Sequence, residues 1–137
     1  MSDHSSYFSD QHGKAARPGR LISVLRDLPD VDVIPGLNIR PLFGSGFSVN
    51  FVRWRPETEA PEHAHIEEQL IVMIDGELQL EFEGETHNLR AGELALLPAW
   101  VPHRARTLGS PAYQLDVFCP PRQSVIDMLV ERGIALG

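Results

Sequence analysis

From Leu21 onward the apolar positions come in short bursts: "LISVL", "LNIRPLF", "FSVNFVRW", "QLIVMI", "ELQLEF", "ETHNL", "ELALLP", "HRARTL" and "YQLDVF". Each is closed by Pro, Gly or a charged run. Bursts of this length and spacing predict an all-β chain, folded as an antiparallel sandwich or barrel. The turns agree: Asp75-Gly76 in "IDGEL" is a pair favoured in two-residue hairpins, and "FEGET" turns at Gly84. "ELQLEF" alternates, with Leu78, Leu80 and Phe82 on one face and Glu77, Gln79 and Glu81 on the other, so that strand has one wet side. "QLIVMI" is apolar on both faces and needs covering on both, by an opposing sheet or by another subunit. In "FVRWR" either Trp54 or the pair Arg53 and Arg55 faces inward, and the pattern does not choose. Only the tail "PRQSVIDMLVERG" has helical spacing, through Val125, Met128 and Leu129, with Gly133 as its stop signal. There is no internal repeat.

The stretch before these bursts, residues 1–20, is polar and aperiodic and is expected to be a flexible extension to one domain over residues 21–137. His4 and His12 fall in it, with no strand to fix them, and are read as solvated. A chain of 137 residues with 42% hydrophobic positions can build one core. The net charge of −7 has no basic stripe within it, which argues against nucleic acid and anionic membrane surfaces as partners. An anionic substrate would need a locally positive site. Cys119 is the only cysteine, so no intrachain disulfide forms and a reducing compartment is expected. No stretch has signal-peptide or bilayer-spanning character, and the chain is expected to be cytoplasmic.

Candidate chemistry begins in "APEHAHIEEQLIVMIDGE". In an extended strand residues i and i+2 share a side, so His63 and His65 would bring two imidazoles to one point, a ligand pair that divalent transition metals accept. Taken alone, the two also fit an acidic surface loop. A third histidine, His103 of "AGELALLPAWVPHRART", opens another strand, which a barrel can bring beside the first. In "QLDVF" Asp116 and Phe118 share one face and Leu115 and Val117 the other. If the former face is interior, Asp116 is a desolvated carboxylate near a cation, suited to moving a proton; on an edge strand it would face water. Arg122 follows Pro120-Pro121 and either pairs its planar fork with a substrate carboxylate or tethers the C-terminal helix.

These residues resemble the cupin superfamily over about residues 35–122. The first cupin motif is matched by His63, His65, Gln69 and Gly76, the second by Gly92, Pro98 and His103. The leading glycine of the first motif is absent, Gln69 stands at its acidic ligand, and Trp100 and Thr107 replace a glycine and an asparagine of the second. Glu67 and Glu68 fall one or two residues short of the ligand spacing and are assigned to solvent or to the surroundings of the ligands. The fold implied is a jelly-roll barrel, the double-stranded β-helix, with a short C-terminal helix. The ligand set implied is His63, His65, Gln69 and His103 around one divalent transition metal ion: Fe, Mn, Ni or Zn. A neutral amide in place of a carboxylate leaves that ion its full charge and makes it a better host for an anion; Gln69 is alternatively the mark of a cupin that has lost its metal.

With "YQLDVFCPPRQSVI" and "WVPH", the chain is similar to the small single-domain cupins of the pectin-degradation (KdgF-like) group. That resemblance implies ring opening or tautomerisation of an unsaturated uronate or related sugar acid, with Asp116, Phe118 and Arg122 facing the substrate. Cys119 and Gln123 depart from the serine and glutamate usual there. Partners expected are a small anionic substrate and, from "QLIVMI", a second copy of the chain. An Fe(II) cupin dioxygenase and a non-catalytic ligand-binding cupin are the other readings.

Overall fold

The computed structural model describes Tyr7, Phe8 and residues 13–136. His4 and His12 lie outside the described residues; residues 13–20 carry no helix or strand and are exposed. The elements run α1 (Val24–Asp27), β1 (Val31–Ile34), β2 (Leu37–Phe43), β3 (Ser48–Trp54), β4 (Glu59–His63), β5 (Glu68–Asp75), β6 (Glu77–Phe82), β7 (Glu85–Arg90), β8 (Leu94–Leu97), β9 (His103–Arg106), β10 (Ala112–Cys119) and α2 (Gln123–Glu131). Two antiparallel sheets face each other, one in the order β1-β2-β3-β10-β5-β8 and the other β4-β9-β6-β7. The expected all-β jelly roll with a short C-terminal helix is what forms.

Alternation places the core between the sheets. Leu78 and Leu80 of β6, Ile71 and Met73 of β5, Val52 and Trp54 of β3 and Leu97 of β8 are all buried there. The hairpin at Gly76 needs glycine twice over: its φ is +79°, and an added Cβ would run into the Pro111 carbonyl oxygen. α2 closes over the core through Val125 and Leu129, the latter fully buried.

Three local expectations resolve or change. Trp54 is the inward residue of "RWR", 5% exposed, and Arg53 and Arg55 point out. "LISVL" is not a strand. Its second half enters α1, a single turn closed by Asp27 N–H to Ser23 O at 2.8 Å and by Ser23 N–H to the Asp27 carboxylate at 2.7 Å, because the Asp27 side chain satisfies a backbone N–H four residues before it. Among the described residues, "QLIVMI" is covered on one face only. Ile71 and Met73 are buried, but Leu70 and Val72 are half-buried and Ile74 is exposed, beside exposed Leu94 and Leu96 on the paired edge strand β8.

Candidate metal centre and active site

The three histidines come from two strands and one connection of the same barrel end. β4 ends at His63, which pairs across the ladder with His103 at the start of β9. His65 stands two residues beyond β4, so strand geometry is not what aims it; the loop holds it through His65 Nδ1, 2.9 Å from the Glu67 carbonyl oxygen. The three rings lie 4.3–5.7 Å apart by centroid, and one ligand nitrogen of each falls within 4.8 Å of the others.

Hydrogen bonding sets the tautomers. His63 Nδ1 meets Pro61 O at 2.8 Å, His65 Nδ1 meets Glu67 O, and His103 Nδ1 meets Val101 O at 2.9 Å. A carbonyl can only accept, so each Nδ1 carries the proton and each Nε2 is left with a lone pair. His103 Nε2 is buried with no hydrogen-bond partner among the described residues. His65 Nε2 faces Gln69 Oε1 at 3.0 Å, and both of those atoms are acceptors. Two buried acceptors in contact and a third one unpaired lack a positive charge between them, which is what a metal ion supplies. Protons are a poor substitute, because burial, the Arg122 charge and the neighbouring His63 push His65 down, and burial takes His103 down to about 4.

Gln69, on β5, and Phe118, on β10, are register partners facing inward. Asp116 lies two residues up β10 on the same face, as the alternation of "QLDVF" predicts. It is 7% exposed, and burial raises its carboxyl to about 7 against hydrogen bonds from Gln114 and Gln69 and the Arg122 charge. Phe118 packs its ring 5.8 Å from that of His65 and 5.8 Å from the Arg122 guanidinium. A cavity of about 190 Å³ joins these groups. Its histidine end is polar, and elsewhere Val52, Ile71, Leu80, Ala105, Val125 and Met128 give it an apolar wall interrupted by Asn50, Gln114 and Ser124.

Arg122 lines the cavity but is not free. Its Nη1 lies 3.2 Å from Glu67 Oε1, which ties the start of α2 to the loop that carries His65. Glu67 is only 2% exposed, not a solvent residue, and its other oxygen accepts the Gln123 N–H at 2.9 Å. The N-cap position of α2 is an arginine with no oxygen to offer, and a carboxylate 56 residues away caps the helix instead. Burial alone would raise Glu67, but the N–H groups of Gln123 and Glu67 and the Arg122 charge hold it below its ordinary value. Gln114 and Asn50, buried at the cavity, were also not singled out by sequence. For Gln114 a signal existed: it shares the period-2 face of Asp116 and Phe118. Trp100 stands outside the cavity lining, 62% exposed, with φ +67° and its N–H on the His65 carbonyl at 2.8 Å.

Known proteins share this architecture. KdgF from Halomonas sp. superposes with a TM-score of 0.67 at 23% identity, over 71% of this chain and 92% of that one. The polyketide cyclase RemF from Streptomyces resistomycificus gives 0.65 at 21%, over 74% and 80%. In sequence, the polyketide synthase CurC of Streptomyces cyaneus is 33% identical over 66 residues, 47% of this chain and 42% of that protein, so the chain matches less than half the length of that relative. The family model for the cupin domain matches residues 50–118, from the middle of β3 to Phe118, taking in all three histidines, Gln69 and Asp116. That match covers half of the chain, and the protein belongs to the cupin domain family.

Proposed function

We propose that this cupin is a metal-dependent enzyme that opens and tautomerises an unsaturated uronate or related sugar acid. The observation that carries the reading is the convergence of three lone-pair nitrogens and the Gln69 oxygen beside a buried carboxyl group whose pKa lies near neutrality. His63, His65, Gln69 and His103 would hold one divalent transition metal ion, which when bound polarises a substrate oxygen. Asp116 exchanges the proton, a task for which a pKa near the working pH is best suited. Arg122 keeps two of its three guanidinium nitrogens beyond the Glu67 contact for a substrate carboxylate, and Phe118 packs against the sugar ring. The active unit is the domain over residues 21–137, with residues 1–20 as an extension. The single cysteine supports a cytoplasmic setting, and among the described residues no helix is long and apolar enough to cross a membrane. The exposed row Ile74, Leu94 and Leu96 supports a homodimer through the outer face of β5 and β8; light scattering at micromolar concentration should give twice the chain mass.

The test is direct. Metal-loaded protein incubated with unsaturated uronates should speed loss of the cyclic form in NMR spectra, and chelator should abolish the effect. Asp116→Asn should keep metal and fold while turnover falls about two to four orders of magnitude. Absence of turnover in the loaded protein on every uronate tried would refute the substrate assignment. One observation favours a second reading: the apolar wall of the cavity suits an enolisable substrate with few hydroxyls, the kind of molecule suggested by the names of the cyclase and synthase relatives. The same groups would then move a proton next to a substrate carbonyl.

A further inference from the structure

The indole N–H of Trp54 can only donate, and it lies 2.9 Å from Gln114 Oε1. That contact orients a buried chain of side chains. With its oxygen turned to Trp54, Gln114 must present its NH₂ to Asp116, which it meets at 2.8 Å from Oδ1. Asp116 accepts there whether or not its other oxygen is protonated. Trp54, Gln114 and Asp116 are each no more than 7% exposed.

We infer that Trp54 and Gln114 are positioning residues: acting through a one-way chain of donors, they hold Asp116 in a single orientation. This deepens the proposed function, since it rests on Asp116 as the group that exchanges the proton.

Three variants test the chain: Gln114→Met, which removes the donor at similar volume, Trp54→Phe, and the two combined, with Gln114→Leu standing in if Gln114→Met does not fold. Without substrate, the infrared band of the ¹³C-labelled Asp116 carboxyl, isolated by subtracting the Asp116→Asn spectrum, should shift in Gln114→Met and broaden in Trp54→Phe. With substrate, Gln114→Met should lower kcat about 10- to 100-fold, the usual cost of removing an outer partner of a reacting group, with KM held within about twofold and metal content unchanged. The combined variant should be no worse than Gln114→Met alone, because the indole acts only through the amide. An unmoved Asp116 band in Gln114→Met, or losses that simply add, would overturn the inference. An inactive parent protein would instead count against the uronate reading and leave the band measurement to decide the chain.

Discussion

Asp116 shows what one buried carboxyl group does to a small domain. Unfolded, it ionises near its ordinary value of 3.8; folded, burial lifts it to about 7. Between those values the folded protein binds the proton and the unfolded chain does not, so the Asp116 contribution to stability falls as pH rises through this window and is level above it. Asp116→Asn has nothing to ionise. In chelator-treated protein, its urea midpoint should therefore improve relative to the parent from about pH 4 to about pH 7 and then run parallel to it; a constant difference across the range would contradict the shift. That Asp116 and Phe118 share a face was legible in "QLDVF" because a strand has a period of two; that this face is the inward one was not, since alternation does not say which side is covered. The role of Glu67 was not, since its partners Arg122 and Gln123 lie 55 and 56 residues away and only the fold brings them together. The three histidines were legible as residues, but their common tautomer is set by backbone carbonyls, which no side-chain pattern reveals.

Among the elements, α2 and the β8–β9 connection carry the consequences. α2 is joined to the His65 loop by Glu67, whose two oxygens meet Arg122 and the Gln123 N–H. Glu67→Gln leaves at most one acceptor for two donors. Amide exchange over Gln123–Val125 should quicken, and stability should drop by about 1.5–3 kcal/mol, the range for hydrogen bonds to a charged group; unchanged exchange there would show that Val125 and Leu129 hold the helix unaided. Trp100 sits in the left-handed region, φ +67°, at the position where the second cupin motif has glycine. Its exposed ring gains little from packing, and Trp100→Gly should raise stability by about 1 kcal/mol, the left-handed strain of a side chain less the entropy cost of glycine. A lower urea midpoint would mean that the ring packs more than its exposure suggests. β1 and α1 were the elements least legible: "LISVL" is apolar enough for a strand, but a bond of four-residue range between Ser23 and Asp27 closes a helical turn first.

At the scale of the molecule, the all-β class followed from alternation and turns and the C-terminal helix from its own spacing, whereas the order of strands in each sheet did not, because register between distant strands depends on partners that short patterns do not name. That order matters for what the site joins. His63 and His103 belong to the four-stranded sheet, Gln69 to the six-stranded sheet, and His65 to the chain that crosses between them. An ion held by all four would act as a rivet through both layers, present only when they are closed. Its binding energy would then be spent against unfolding, so the melting temperature becomes a gauge of free metal: each metal should raise it in order of affinity, with about 2.7 kcal/mol of added stability at a hundred times its Kd. A thermal scan against Fe, Mn, Ni and Zn would thus rank the candidate ions with no substrate in hand, and His103→Ala should flatten the ranking by removing one side of the rivet.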